Sequence, residues 1–155
     1  MGLDEEIVEE IEYTPKEYLY EIEIVSIWQN PVTGRISSPA GTRYSPISGV
    51  AEFHDGVDIA LPIGTEIVAP KNGYVIAAGN STSFGRFLRL QHDNGYETFF
   101  AHLNYVPLSI GDRVEQGDRV AYSGNTGWST APHLHFSLFR EGQFVDPQWY
   151  FCFGG

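Results

Sequence analysis

The chain has 155 residues, enough for one domain with a sizeable core, and its 42% hydrophobic content is typical of a globular protein. A formal net charge of −11 argues against a nucleic acid as partner, because binding to a phosphate backbone depends on Lys and Arg. The single cysteine excludes an intrachain disulfide and a metal site built from several cysteines. No apolar run reaches the roughly 18 residues of a membrane-spanning helix, so we expect none.

The start of the chain is strongly acidic. Residues 1–23 carry nine acidic side chains and one lysine, a charge of −8, whereas residues 24–155 carry eleven acidic and eight basic side chains, a charge of −3. Residues 18–28 alternate apolar and polar side chains, which is typical of a strand. We therefore predict an acidic leader plus one strand over residues 1–30 and a functional domain over residues 31–155. The leader could be a linker to an anchor or an inhibitory segment.

The rest of the chain reads as many short strands. Its 17 glycines and 9 prolines favour turns over long helices, so the predicted fold class is all-β. Residues 30–49 are rich in Pro, Gly and Ser and are predicted to form a loop. Asp93-Asn94-Gly95 predicts a hairpin between strands at 86–91 and 96–101, because Asn-Gly tolerates positive φ at both turn positions. Residues 134–140 form the last predicted strand.

Four of the five histidines fall into three short motifs, His54-x-x-x-Asp58, His102 and His133-x-His135. Residues i and i+2 of a strand face the same side, so His133 and His135 are expected to point into one cleft. Four residues of straight strand span about 13 Å, too far for His54 and Asp58 to share an ion. A turn at Gly56 would bring these two side chains together.

A catalytic zinc site needs three protein ligands and an open position for water, and the hydrolysis also needs a general base. The chain has no His-Glu-x-x-His motif, in which a glutamate is the base. A histidine is therefore the natural candidate, since its unperturbed pKa of about 6.5 suits proton transfer near neutrality. His92 lies beside the Asn94-Gly95 turn; we expect it to be solvated and assign it no role.

Together these motifs resemble the lysostaphin-type zinc metallopeptidases, also called LytM domains, from about residue 38 to residue 147. The segments that carry the resemblance include Phe53-His54-Asp55-Gly56-Val57-Asp58, Pro62-Ile63-Gly64-Thr65, Ala101-His102-Leu103, Ser123-Gly124-Asn125-Thr126-Gly127 and His133-Leu134-His135-Phe136. Their occurrence in this order makes a chance match very improbable.

The resemblance implies an antiparallel β domain, sandwich-like and of the duplicated-hybrid-motif type, with a groove between loops. It implies one zinc ion per chain, held by His54, Asp58 and His135. It implies that His133 is the general base and that His102 assists by polarising water or stabilising the oxyanion. Residues 31–155 would then be the metallopeptidase domain.

The implied function is zinc-dependent hydrolysis of peptide bonds in bacterial peptidoglycan, in stem peptides or cross-bridges. Phe84, Tyr105 and Trp128 are candidate groove contacts. The expected location is the periplasm or the cell exterior, although no signal peptide or anchor is visible. Two alternatives stay open: a non-catalytic LytM-type module that binds the wall or activates an amidase, and a zinc hydrolase of sugar amides. Regulatory wall proteins are a further partner class.

The leader generates the first prediction. Deleting residues 1–16 is expected to leave the fold intact, because this acidic stretch has few apolar side chains to bury. Thermal melting of the truncated and full chains measures the effect of the deletion on stability. A fall of more than about 10 °C, which means several kcal/mol for a domain of this size, would show that the leader belongs to the core.

Overall fold

A computed structural model of the protein describes residues 28–154; the predicted leader and its strand, apart from Trp28, lie outside the described residues. The described chain is built from β-strands and one 3-10 turn, Pro147–Trp149. None of its helices is long and apolar enough to cross a membrane. The strands are β1 (Arg35–Ser38), β2 (Gly41–Tyr44), β3 (Ala51–His54), β4 (Val57–Ala60), β5 (Glu66–Val68), β6 (Gly73–Ser81), β7 (Gly85–Gln91), β8 (Tyr96–Tyr105), β9 (Arg113–Val114), β10 (Arg119–Ser123), β11 (His133–Arg140) and β12 (Gln143–Val145).

Ten of these strands form one antiparallel sheet, in the order β1-β4-β11-β8-β7-β6-β9. Strand β10 joins β5 to β8, and β12 pairs with the far end of β11. Strands β2 and β3 form a separate two-stranded sheet. The prediction of an all-β, antiparallel fold is therefore confirmed.

The core lies against the centre of the large sheet, where β4, β11 and β8 are neighbours. Val57 and Ile59 of β4 and Leu134 and Phe136 of β11 are all fully buried. Each such side chain contributes about 1.5–3 kcal/mol by leaving water. Because successive strand residues face opposite sides, this burial fixes which residues of β4 and β11 point away from the core.

The predicted hairpin forms as expected, whereas the predicted loop over residues 30–49 is wrong in part. Asn94 and Gly95 have φ of 57° and 77°, as a two-residue turn between β7 and β8 requires. Residues 30–49, however, include β1 and β2. Strand β1 pairs with β4 along one edge, and Gly34 and Gly41 lie outside the two strands or at their ends.

The expectation that His92 is solvated is also wrong. His92 is 6% exposed. Its Nδ1 donates to the Asn72 carbonyl at 2.8 Å, and its Nε2 lies 2.8 Å from the Thr98 hydroxyl, which donates to it. Trp28 packs edge-on against the imidazole at 5.6 Å. These contacts describe a neutral histidine held inside the fold.

Burial lowers the pKa of His92 below its ordinary value of 6.5, and the nearby Lys71 ammonium acts in the same direction. As the pH falls below 6.5, the unfolded chain therefore binds a proton at this position before the folded chain does. The stability that neutral His92 contributes is complete above pH 6.5 and is lost as the pH falls through the lower folded-state pKa.

His92→Gln removes this titration. We expect the free energy of unfolding of the wild-type chain to fall more steeply between about pH 7 and about pH 5 than that of the variant. Urea unfolding of both proteins across this range measures the difference. Parallel pH profiles would contradict the account.

Candidate functional site

Three side chains from neighbouring strands converge on one point at the edge of the groove. His54 ends β3, Asp58 lies in β4, and His135 lies in β11. His54 Nε2 lies 3.1 Å from Asp58 Oδ1 and 3.1 Å from His135 Nδ1, and His135 Nδ1 lies 3.2 Å from Asp58 Oδ1. All three residues are less than 9% exposed. The structure thus brings together the three residues that the sequence suggests as ligands.

The chain turns between His54 and Asp58 at Gly56, as the sequence predicts, but the need for glycine there has another cause. A Cβ at Gly56 would lie 2.7 Å from the Phe136 carbonyl oxygen and 2.8 Å from the His135 ring. Glycine is therefore required because β11 passes so close to this turn. Asp58 is the direct cross-strand neighbour of His135, so the sheet register completes the cluster.

Hydrogen bonds at the outer edges of the two imidazoles direct their lone pairs inward. His54 Nδ1 donates to the Pro39 carbonyl at 3.0 Å, so that in the neutral imidazole the lone pair lies on Nε2. His135 Nε2 lies 2.8 Å from the Ser137 hydroxyl, to which it can donate, and its Nδ1 then faces the cluster. Two imidazole nitrogens and one carboxylate oxygen, all electron-pair donors, could hold a metal ion. This donor set fits zinc.

The Asp58 carboxylate is ionised and held by a cation on its outer side. Burial raises the pKa of Asp58, but the imidazoles of His135 and His54 outweigh this effect, and the net pKa lies far below its usual range. On the other oxygen, Arg43 Nη1 donates to Oδ2 at 3.0 Å. Oδ1 therefore remains directed at the two histidines.

His133 and His102 lie beside the cluster, with their rings 4.8 Å apart. His133 Nδ1 donates to the Ala131 carbonyl at 2.8 Å, and its Nε2 lies 3.7 Å from Asp58 Oδ1. His102 Nδ1 donates to the Thr126 carbonyl at 2.7 Å. In the neutral form, each ring therefore keeps a lone pair on Nε2.

His102 occupies an unusual backbone conformation for a side-chain-bearing residue, with φ of 63°. Such conformations cluster at functional sites. Burial, helped by the nearby His133 and His135, lowers the pKa of His102 to about 4 against the opposing effect of the Thr126 carbonyl. His102 is therefore neutral at physiological pH.

The four histidines and Asp58 line a groove of about 730 Å³. Two of the three candidate contact residues, Phe84 and Trp128, lie along it and are 43% and 62% exposed. Tyr105 is exposed as well, but it stacks on Tyr122 and is absent from the groove lining. The groove lining also includes Tyr44, which ends β2, and Ile47 in the loop between β2 and β3, and both are exposed.

The sequence analysis missed Arg43 and Ser137, which contact the cluster from outside. Ser137 follows His135 at i+2, so the period-2 pattern that pairs His133 with His135 also places Ser137 on the same face. Arg43 has no comparable signal, because its contact with Asp58 depends on where β2 lies against β4.

Comparison with known proteins identifies the family. The model of "Peptidase family M23" matches residues 52–147. A DD-carboxypeptidase/endopeptidase of Neisseria meningitidis is 39% identical over 113 residues, 73% of this chain and 26% of that protein. The chain spans between about a quarter and a third of the length of the curated relatives it matches. It belongs to peptidase family M23.

Two solved structures share the fold. A zinc-containing peptidase from Vibrio cholerae superposes with a TM-score of 0.70 at 31% identity, covering 77% of this chain and 39% of that one. The catalytic domain of lysostaphin from Staphylococcus simulans gives a TM-score of 0.66 at 29% identity, covering 83% of this chain and 95% of that one. The resemblance to lysostaphin-type peptidases is confirmed.

The geometry generates a prediction about metal content. His54→Ala, Asp58→Ala and His135→Ala are each expected to lose a bound zinc ion, because each removes one of three donors. His133→Ala is the matched control on the same strand and is expected to keep about one zinc per chain. Elemental analysis after dialysis measures the zinc content of each variant. Full zinc in His135→Ala together with loss in His133→Ala would reverse the two assignments.

Proposed function

We propose that this member of peptidase family M23 is a zinc-dependent endopeptidase that hydrolyses peptide bonds of bacterial peptidoglycan. The observation that carries the proposal is the pairing of two sites in one groove. His54, Asp58 and His135 converge as electron-pair donors, and His102 and His133 present free lone pairs beside them. A binding module would need neither the donor cluster nor the adjacent bases.

When bound, a zinc ion supplies Lewis-acid chemistry: it acidifies water and polarises a carbonyl group. The chain's own residues then have distinct tasks. His54, Asp58 and His135 hold the ion. His133 accepts a proton from the attacking water at Nε2, since its Nδ1 proton is committed to the Ala131 carbonyl. The resulting imidazolium returns that proton to the nitrogen of the leaving amine, which restores neutral His133.

The role of His102 follows from its hydrogen bond. Because Nδ1 donates to the Thr126 carbonyl, neutral His102 can only accept at Nε2. It therefore orients the attacking water by accepting its second hydrogen, while His133 accepts the first. This favours the water-polarising role over the oxyanion role, which would need a donor at Nε2.

The shape of the groove and the relatives support the substrate class. The groove is open and lined by exposed aromatic and aliphatic side chains, including Phe84, Trp128 and Ile47, which suits an extended peptide. Curated relatives are named peptidoglycan DD-endopeptidases, including one of Vibrio cholerae that is 36% identical over 104 residues. A wall substrate places the site of action in the cell envelope, outside the cytoplasm.

Digestion of purified sacculi tests the proposal. The wild-type chain is expected to release new peptide amines, identified by mass. His133→Ala is expected to lose about 10²–10⁴-fold in kcat while keeping its zinc. His102→Asn is expected to lose activity as well, and Asn is chosen because it tolerates the positive φ at this position. His92→Gln, a buried histidine outside the groove, is the control and is expected to keep full activity.

Three other outcomes would each replace the proposal. Release of free acetate would identify a hydrolase of sugar amides. Binding to sacculi without any new chain end would identify a wall-binding module or amidase activator. Unchanged rates in both His133→Ala and His102→Asn would show that neither histidine takes part in the chemistry, and the hydrolase mechanism proposed here would be wrong.

A further inference from the structure

Arg43 belongs to the β2–β3 sheet, and it contacts the donor cluster formed by His54, Asp58 and His135 through a hydrogen bond to Asp58. Its side chain is 23% exposed and makes three polar contacts. Nη1 donates to Asp58 Oδ2 at 3.0 Å and to Ser38 Oγ at 2.9 Å, and Nε donates to Glu52 Oε2 at 2.8 Å. The guanidinium therefore connects three strands, β1, β3 and β4, from its place in β2.

The contact with Asp58 divides the two oxygens of that carboxylate. Oδ1 faces His54 Nε2 and His135 Nδ1 at 3.1 and 3.2 Å, whereas Oδ2 accepts from Arg43. An aspartate can bind a metal ion through one oxygen or through both. The charge-assisted hydrogen bond from Arg43 makes Oδ2 the poorer electron-pair donor of the two oxygens and leaves Oδ1 directed at the histidines.

Arg43 forms ion pairs with Asp58 and Glu52, but a metal ion bound at the cluster would oppose a guanidinium at this position. A cation so close to a metal site repels the metal ion, and this repulsion must be offset by something the arginine provides. The Glu52 carboxylate compensates the positive charge of Arg43, and the Ser38 hydroxyl fixes the orientation of the guanidinium group. Arginine has the planar geometry to hold Asp58, Ser38 and Glu52 at the same time, and a lysine ammonium on its flexible stem does not.

We propose that Arg43 is a positioning residue that restricts Asp58 to ligation through Oδ1 and so keeps the coordination number low enough to leave room for water and substrate. The proposal rests on the proposed zinc site, but its test needs no wall substrate. Arg43 offers no electron pair to an ion, because its guanidinium is a donor only. It acts through Asp58, as residues that hydrogen-bond metal ligands generally do.

Arg43→Gln and Arg43→Lys test the proposal, and Arg119→Gln, whose ion pair with Glu66 lies in β10 and β5 away from the groove, is the control. Chelator competition is expected to show zinc bound about 10–100-fold more weakly by both Arg43 variants and unchanged in the control. In the cobalt-substituted proteins, both Arg43 variants are expected to lose visible absorption intensity, because a second Asp58 oxygen raises the coordination number.

The comparison of the two variants separates positioning from charge. Weaker binding in Arg43→Lys, which keeps the charge, supports positioning. Zinc affinity equal to or above wild type in Arg43→Gln, with an unchanged cobalt spectrum, would overturn the proposal. Melting of the metal-free proteins is done first; if Arg43→Gln does not fold, Arg43→Lys decides by the same criteria. Tight zinc binding by a wild-type chain that cuts no wall would contradict the proposed function and leave this inference intact.

Discussion

The functional site depends on one constraint: three groups that can donate an electron pair, His54 Nε2, Asp58 Oδ1 and His135 Nδ1, lie within 3.1–3.2 Å of one another. Contacts this short are favourable only where the groups share a proton or a metal ion. The Pro39 carbonyl accepts the Nδ1 proton of His54, so the neutral imidazole presents its Nε2 lone pair to the cluster. The fold therefore gathers three possible metal ligands at one point, and a metal ion bound there would stabilise the folded state.

The hydrophobic core is what enforces this arrangement. His133 and His135 alternate along β11 with Leu134 and Phe136, both of which are fully buried. A slip of one residue in the pairing of β11 with β4 would turn the two apolar side chains into the groove and the histidines into the core. The cost of exposing two such residues, about 1.5–3 kcal/mol each, is what keeps the donors in register. Core packing thus sets the geometry of the site.

This dependence explains which features the sequence could predict. His133 and His135 follow from the period of a strand, and the turn at Gly56 follows from the distance that His54 and Asp58 must close. Arg43 could not be found in this way, because its contact with Asp58 depends on how β2 lies against β4. His92 was misjudged for a related reason: its local turn suggests solvent, but Trp28 covers it from a distant part of the chain.

The proposed division of labour among the four groove histidines, with His54 and His135 as ligands and His102 and His133 beside them, is also a matter of register. Each imidazole is oriented by a hydrogen bond from the ring nitrogen that points away from the groove. Residue type and tautomer therefore do not distinguish the proposed ligands from the proposed bases. What differs is the residue across the strand. His135 lies opposite Asp58, whereas His133 lies opposite Ala60, which has no group to share the lone pair. His133 Nε2 is accordingly 3.7 Å from Asp58 Oδ1, about half an ångström farther than the ligand nitrogens. An alanine opposite His133 leaves that imidazole free to accept a proton.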